Sequence, residues 1–485
     1  MKNITPSNAR GLNLESESKV KAEYLPAWGS NENKVIIVDG VVCSGIIDSS
    51  QFGTSSYGLV HSVFELYGSE CAGKLLSILS RLFTKYLQHR GFTCRMDDLI
   101  LTDEGNEVRD EILEGTKNYG FEAAIDSIGL TEEQSKGSEG KRNVLMRLEE
   151  VLRDDNKLAM LDQTSTSKNE QIKSQILKKT LPAGLWRRFP TNHFQAMVLT
   201  GSKGSAVNAS QISCLLGQQS LEGRRVPVMV SGKTLPCFKP FETDMRAGGF
   251  VAQRFLTGIR PQEYYFHCMA GREGLIDTAV KTANSGYLQR CLIKHLEGIK
   301  VHYDHTVRDS DNSVIQFQYG EDALDVTKQV YLNKYKFAVN NYDSMMRKYN
   351  PKALIGKVDE EAAEAYMKKA LKKPYKYAPV LSEYSPSVYL GATSEKFAKD
   401  VDAYAENNPD GLLIPQSSKK NKLSDAEIEA LVKKLKQQGG AIAKPKQFKN
   451  LLKTIYARSL VEPGEAVGLL ASQGCVYFST STTLC

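Results

Sequence analysis

The sequence predicts a mainly α chain with small β elements (α+β), an irregular multi-segment body organised around one long helix near 261–298. Three observations carry this expectation. Apolar residues recur at helical spacing through most of the chain. One stretch, "PQEYYFHCMAGREGLIDTAVKTANSGYLQRCLIKHLEG", reads as a single helix roughly three times the average length. Strand signals are confined to short hairpins.

The chain has 485 residues, 41% hydrophobic and 25% charged, enough to bury a sizeable core. No apolar run approaches the roughly 20 residues a membrane helix needs. The mixed-charge N-terminus, "MKNITPSNARGLNLESESKVKAEYLPAWG", has neither signal-peptide nor transit-peptide character. A net charge of +7 is compatible with a polyanionic partner without requiring one. The nine cysteines form no CxxC pair and no zinc-type spacing with His. They read as free thiols, and no metal site is expected from this chain alone.

Taken in order, "KVIIVDGVVCSGIID" places two strands around Asp39-Gly40, a hairpin signal. Two helices follow within 57–91, split near Gly68 to Cys71, with Gly91 as the C-terminal stop. Residues 105–127, 139–158 and 166–179 read as three charged helices, the last running into the breaker "LPAG". Residues 200–260 are irregular, rich in Gly, Pro and basic residues. The long helix comes next, with Pro261 suited to its first turn. "KVHYDHTVRDSDNSVIQFQYG" reads as a hairpin turning at Asp309 to Asn312, and charged helices separated by loops fill the region from 330 onward. Among these, "SDAEIEALVKKLKQQGG" has a capping box of Ser424 and Glu427 and a stop at Gly439, preceded by the linker "LIPQSSKKNKLSD".

No phosphate loop of GxxxxGK[ST] type, GxSxG elbow or HExxH helix is present. The paired acids of "VRDSDNS" fit a solvated turn. The segment "TGSKGSAVNASQISCLLGQQSLEGRRVP" is more suggestive. Ser205 caps a helix through "AVNASQISCLLG", and Gly201 and Gly204 let the backbone turn sharply. Lys203 then precedes a helix N-terminus, where a bound phosphate would offset the unfavourable macrodipole. A solvated loop lysine is the plain alternative, and the same holds for Arg224 and Arg225. In the long helix, "EYYFHCM" and "LIDTAV" are apolar on several sides, which predicts burial between other bodies. Between them and the C-terminal end, "KTANSG" is small and polar. It would let a flat partner approach the backbone, with Lys281 and Arg290 for phosphates and Tyr287 as a stacking face. A plain core helix remains the competing reading. Gly271 and Gly274, among bulky neighbours, predict close packing of another backbone, whereas Ser285-Gly286 is a pair at which helices bend.

The wording of these segments resembles a known family. "GREGLIDTAVKTANSGYLQRCLIKHLEG" is similar to the bridge helix of the largest subunit of multisubunit DNA-directed RNA polymerases. "GSKGSAVNASQISCLLGQQSLEGRRVP" resembles that family's funnel, "GIIDSSQFGTSSYGLVHSVFELYGSECAGKLLSILSRLFTKYLQHRGFTCRMDDL" its pore, and "ARSLVEPGEAVGLLASQ" the lead-in to its trigger loop. The resemblance covers residues from about 4 to 473. "GIRPQEYYFHCMAGREG" and "VHYDHTVRDSDNSVIQFQYGEDALDVTK" are nearest the RNA polymerase I branch, with the II and III branches as alternatives.

The resemblance implies a division into pore-region remainder (1–104), helical funnel region (105–245), bridge helix and lead-in (246–300), start of the cleft region (301–473) and a tail (474–485). It implies that Thr282 and Ala283 face the nascent base pair, with Gly286, Tyr287, Arg290 and Lys281 completing the template-facing helix. It implies that Lys203 faces the triphosphate of the incoming nucleotide. The implied chemistry is templated nucleotidyl transfer in ribosomal RNA synthesis. The implied partners are the second-largest subunit and other polymerase subunits, template DNA, the RNA–DNA hybrid and nucleoside triphosphates, with no membrane, in the nucleus and nucleolus. Mg2+ and Zn2+ are implied for the complete enzyme. The metal-binding run of the NADFDGD type has no match here, and neither have the zinc-binding segments. The expectation is therefore that this chain lacks the metal ligands and the trigger loop and is inactive alone, with "GCVYFSTSTTLC" an aberrant tail outside the family pattern. The competing readings are a nucleic-acid-binding or assembly module and a non-functional truncated product. The isolated chain is expected to aggregate through uncovered apolar surface.

Overall fold

The computed structural model describes residues 10–129, 137–349, 359–377, 393–413 and 444–482. They fall into two compact units. Unit 1 comprises Met1–Ser18, Glu32–Lys85 and Lys281–Cys485, and unit 2 comprises Lys19–Asn31 and Tyr86–Val280. Helices predominate and the sheets are small, as the α+β expectation has it.

The chain opens with a three-stranded antiparallel sheet of β1 (Leu14–Glu17), β2 (Lys34–Val38) and β3 (Val41–Ser44). Alternation in β2 buries Val35 and Ile37 and turns Ile36 and Val38 outward. The β2–β3 turn uses Asp39 at φ 46° and Gly40 at φ 72°, the paired left-handed residues a two-residue hairpin needs. Helices α1 (Leu59–Tyr67) and α2 (Ser69–Arg90) divide at Gly68 and end at Gly91, both at positive φ. Both features follow the sequence reading, whereas β1 was not foreseen as a strand.

The next region departs from expectation. The single helix expected over 105–127 is two, α3 (Asp103–Gly115) and α4 (Tyr119–Ile128). The break falls where the Thr116 hydroxyl bonds the carbonyls of Ile112 and Leu113. After α5 (Gly137–Leu152), the gap expected at 158–166 does not exist. Helix α6 runs unbroken over Asp155–Thr180, started by Asp154, whose side chain accepts from the Asn156 N–H. Asp162 and Ser165 of the expected gap are buried, and with Asn169 and Thr180 they share the inward face with Leu161, Ile172 and Ile176. Helix α7 (His193–Leu199) precedes α8 (Ala206–Ser213). The latter stops four residues earlier than expected, because Cys214 and Leu215 are pulled into the core and Leu216 bonds Gln253 across the β4 (Gly217–Gln218) and β5 (Phe250–Val251) pair.

Helix α9 covers Pro261–Leu296 without interruption, 36 residues or about 54 Å. Beyond it lie β6 (Lys300–Val301), β7 (Val307–Arg308) and β8 (Val314–Gln316), with the expected turn at Asp309 to Asn312. Helices α10 (Tyr335–Asn340), α11 (Tyr342–Lys348), α12 (Glu360–Lys372), α13 (Glu395–Asn407), α14 (Pro445–Arg458) and α15 (Val467–Thr482) complete the chain. The capped helix expected at 424–440 and nearly all of its linker lie outside the described residues.

Unit 1 is centred on a core that joins Val35 and Ile37 to Val63 and Leu66 of α1 and to Phe448 and Leu451 of α14. A satellite cluster of Val301, Val307, Val461 and Val467 packs β6 and β7 against the start of α15. In unit 2 the cores lie on either side of α6, through Leu161 with Val144 and Leu148, and through Ile172 and Ile176 with Leu215 and Phe250. Among the described residues no helix is long and apolar enough to cross a membrane.

Candidate nucleic-acid interface

The two ends of α9 are held in different ways. In unit 2 its first turns carry three polar locks to the irregular segment that precedes it. Glu263, only 1% exposed, accepts from Arg246 Nε at 3.2 Å. His267 Nδ1 lies 3.1 Å from Gln219 Oε1. Glu273 Oε1 accepts the backbone N–H of Glu222 at 2.6 Å. Phe266 is buried between these contacts and stacks on Phe238. The segment that receives the locks is itself pinned to α6. Asn169 Nδ2 donates to Gln218 Oε1 at 2.7 Å, Gln218 Nε2 donates to the Gly248 carbonyl at 2.8 Å, and Arg225 Nε donates to Asp162 at 2.7 Å.

In unit 1 the C-terminal end of α9 is held by backbone. Val301 N–H donates to Glu465 at 3.0 Å, Gly464 N–H to Val301 at 2.7 Å, and Gly468 N–H to Ile299 at 3.2 Å. Gly468 sits so close that a Cβ there would lie 2.0 Å from the Leu296 carbonyl oxygen.

Between these anchors α9 is open. Leu275 is 75% and Tyr287 73% exposed, and Ile276 and Val280 are also exposed. Among the described residues only Glu263 and Phe266 of α9 are buried, so this chain supplies little of the cover that the apolar stretches call for. Nor does crowding within this chain explain the glycines. A Cβ at Gly271, Gly274 or Gly286 meets nothing within 4 Å. Two of the three lie beside hydroxyls that bond back to the helix. Thr278 Oγ1 donates to the Gly274 carbonyl at 2.7 Å, and Ser285 Oγ donates to the Thr282 carbonyl at 3.1 Å. Such back-bonds weaken a helix slightly and favour bending.

Helical spacing brings most of the candidate residues to one side. Thr282, Gly286 and Arg290 follow each other at four-residue steps, and Ala283 and Tyr287 form the adjoining row. Thr282, Ala283, Gly286, Tyr287 and Arg290 are exposed. Lys281 points well off this face, about 100° back from Thr282. The result is a small-residue strip with an aromatic face and a guanidinium beyond it, which suits stacking and phosphate contact.

Lys203 belongs to unit 2, in the turn between α7 and α8. Gly201 and Gly204 stand at φ 71° and 79°, the Lys203 N–H reaches the Met197 carbonyl at 3.3 Å, and Ser205 accepts from the Asn208 N–H as the helix cap. The Lys203 side chain is exposed and forms no ion pair among the described residues. An anion at this turn would meet both the lysine and the N-terminal dipole of α8. Arg225 is committed to Asp162, so only Arg224 of the basic pair stays open.

Sequence reading missed Glu263, His267 and Glu273. Glu263 and His267 are one turn apart, but Glu273, six residues further on, lies about 120° round the helix from His267, so no single polar stripe marked the three.

Three family descriptions match consecutive parts of the chain: RNA polymerase Rpb1 domain 3 over residues 2–99, domain 4 over 132–251 and domain 5 over 258–484. The last match runs past Gln473, and α15 passes through the same point, so the family likeness does not stop there as expected. The chain is 54% identical over 484 residues to DNA-directed RNA polymerase I subunit rpa1 of Schizosaccharomyces pombe, covering 99% of this chain and 27% of that protein. It is 49% identical to DNA-directed RNA polymerase I subunit RPA190 of Saccharomyces cerevisiae, with 99% and 28% covered, and 42% identical to DNA-directed RNA polymerase I subunit 1 of Arabidopsis thaliana, with 96% and 25% covered. The chain thus spans little more than a quarter of the length of these relatives.

Proposed function

The chain belongs to the Rpb1 family of RNA polymerase largest subunits, and from that premise we propose that it supplies the template-facing helix and the nucleotide-entry funnel of RNA polymerase I. The complete subunit, on this reading, works in the nucleus and nucleolus with the second-largest subunit, template DNA, the RNA–DNA hybrid and nucleoside triphosphates. The observation that carries the reading is the exposed row of Thr282, Ala283, Gly286, Tyr287 and Arg290 on a helix anchored at both ends.

The reaction is attack of the RNA 3′ hydroxyl on the α-phosphate, with pyrophosphate leaving. This chain's part is positioning. Thr282 and Ala283 form a flat seat for the nascent base pair. Tyr287 offers a stacking surface and Arg290 a phosphate contact. Lys203 neutralises triphosphate charge as the bond to the leaving group lengthens. Among the described residues no group of three or more His, Cys, Asp or Glu is placed to hold a metal ion. The described residues do not fit the Mg2+ or Zn2+ of the complete enzyme.

Tyr287→Ala in the full-length subunit is expected to slow single-nucleotide addition about tenfold, the loss of one stacked base contact. Subunit assembly should be unaffected, since the Tyr287 side chain is largely exposed. Gly286→Ala should strengthen the helix by about 1 kcal/mol and shift elongation several-fold while leaving assembly intact. Rapid-quench elongation on a defined scaffold, beside co-purification with the second-largest subunit, separates the two readouts. Normal elongation by both variants would remove this face from the active region.

A further inference from the structure

Helix α8 has Lys203 just before one end and two buried guanidinium groups at the other. The last four carbonyls of a helix find no partner within it. Here each one is met. The Ser210 carbonyl accepts the Cys214 N–H at 2.8 Å, Gln211 that of Phe255 at 3.1 Å and Ile212 that of Leu256 at 3.2 Å. The Ser213 carbonyl accepts from Arg254 Nη1 at 2.9 Å, and the next one, Cys214, from Arg109 Nε at 2.8 Å. Arg109 Nη2 also donates to the Ala252 carbonyl at 2.6 Å. The segment that grips α8 is therefore 252–256. It turns at Gly258, φ 91°, and enters α9 at Pro261.

Two cations are an expensive way to satisfy two carbonyls. Arg109 and Arg254 are 8% and 9% exposed and stand on consecutive carbonyls. Asp110 pairs with Arg109 at 2.7 Å and is itself largely exposed. Arg254 forms no ion pair among the described residues, and its Nε is shut off from solvent without an acceptor. Burial first, and the Arg109 charge second, push the Arg254 guanidinium below the ordinary arginine range. Costs of this kind concentrate at functional sites. The negative end of the α8 dipole offsets part of the cost. The other end, about 12 Å away, carries Lys203. On its far side the Lys203 turn rests on one carbonyl, Met197, which accepts the Ser202 and Lys203 N–H groups.

We propose that Arg254, with Arg109 beside it, is a positioning residue for nucleotide addition: by holding the carbonyl end of α8 against the lead-in to α9, it sets where Lys203 stands. The proposal rests on the reading of Lys203 as the triphosphate contact. It makes α8 a rigid spacer between that contact and the base of the long helix.

A double-mutant cycle in the assembled enzyme with the full-length subunit tests this. Arg254→Gln, which removes the cation, is expected to lower kcat/KM for single-nucleotide addition about tenfold through misplacement of Lys203. Arg254→Lys, which keeps the charge without the planar fork, should limit the loss to about threefold. It serves alone if Arg254→Gln does not assemble. In a Lys203→Ala background either change should cost less than about twofold, because the group it places is gone. Single-turnover amplitudes give the active fraction, so poor folding lowers the amplitude and leaves the rate per active site readable. The same fractional loss with and without Lys203, as a merely structural role would give, overturns the proposal. So does an unchanged kcat/KM in both Arg254 variants. A normal kcat/KM for Lys203→Ala alone would bring down the nucleotide reading itself, a pattern distinct from these two.

Discussion

Gly468→Ala is expected to destabilise the chain by about 3 kcal/mol, the upper end of the usual cost of overpacking. The new methyl would lie 2.0 Å from the Leu296 carbonyl oxygen and 2.9 Å from Ile299 Cβ. The first of these is backbone at the last residue of α9 and cannot rotate aside. That carbonyl is also one of the helix-terminal acceptors that need a partner, and it takes the Ile299 N–H at 3.1 Å. Relief of the clash would therefore break the junction between α9 and α15, with the Gly468 to Ile299 bond lost as well. Gly474→Ala is the matched control. It lies on the same helix with nothing within 4 Å of a Cβ, and should be neutral or stabilising by up to about 1 kcal/mol. Urea melts of the two variants read the difference directly. Equal midpoints would mean that the junction is looser than described.

Lys203→Ala, in the full-length subunit, should lower kcat/KM for nucleotide addition by about 10²- to 10³-fold, the usual scale for losing one preorganised group that stabilises developing charge. The two flanking glycines shape the turn, and no carboxylate competes for the lysine among the described residues. Lys203→Arg should recover part of the loss by restoring charge without the same geometry. Affinity for template DNA at fixed salt should not change, since the proposed contact is with the nucleotide. Single-turnover incorporation across a range of nucleotide concentrations tests this. An unchanged kcat/KM would remove Lys203 from the nucleotide site, and a fall in DNA affinity instead would make it a backbone contact.

Features governed by local chemistry were legible in the sequence. Asp39-Gly40, Gly68 and Gly91 each stand at a positive φ that few residues accept, and each marks its boundary correctly. The length of α9 was legible within two residues. Elements decided at a distance were not. β1 exists because Leu14 pairs with Ile37, 23 positions away. The run at 158–166 was not read as helix, yet Ser165 and Asp162 are buried within α6, Asp162 against Arg225, 63 positions later. The exposed face from Thr282 to Arg290 could be read from spacing. The locks at Glu263, His267 and Glu273 could not be assigned, because their partners lie 17 to 51 positions earlier in a segment without periodicity.

The buried polar face of α6 has a consequence for how unit 2 finds its native arrangement. An apolar stripe offers nearly equivalent seats one turn, about 5.4 Å, up or down a helix axis. Asp162 and Asn169 allow only one, because each meets one group outside the helix, Arg225 and Gln218 respectively. A slide by one turn would strand both at once, each as a buried polar group without its partner. These residues therefore act less as adhesive than as an address, which denies the misregistered packings that Leu161, Ile172 and Ile176 alone would tolerate.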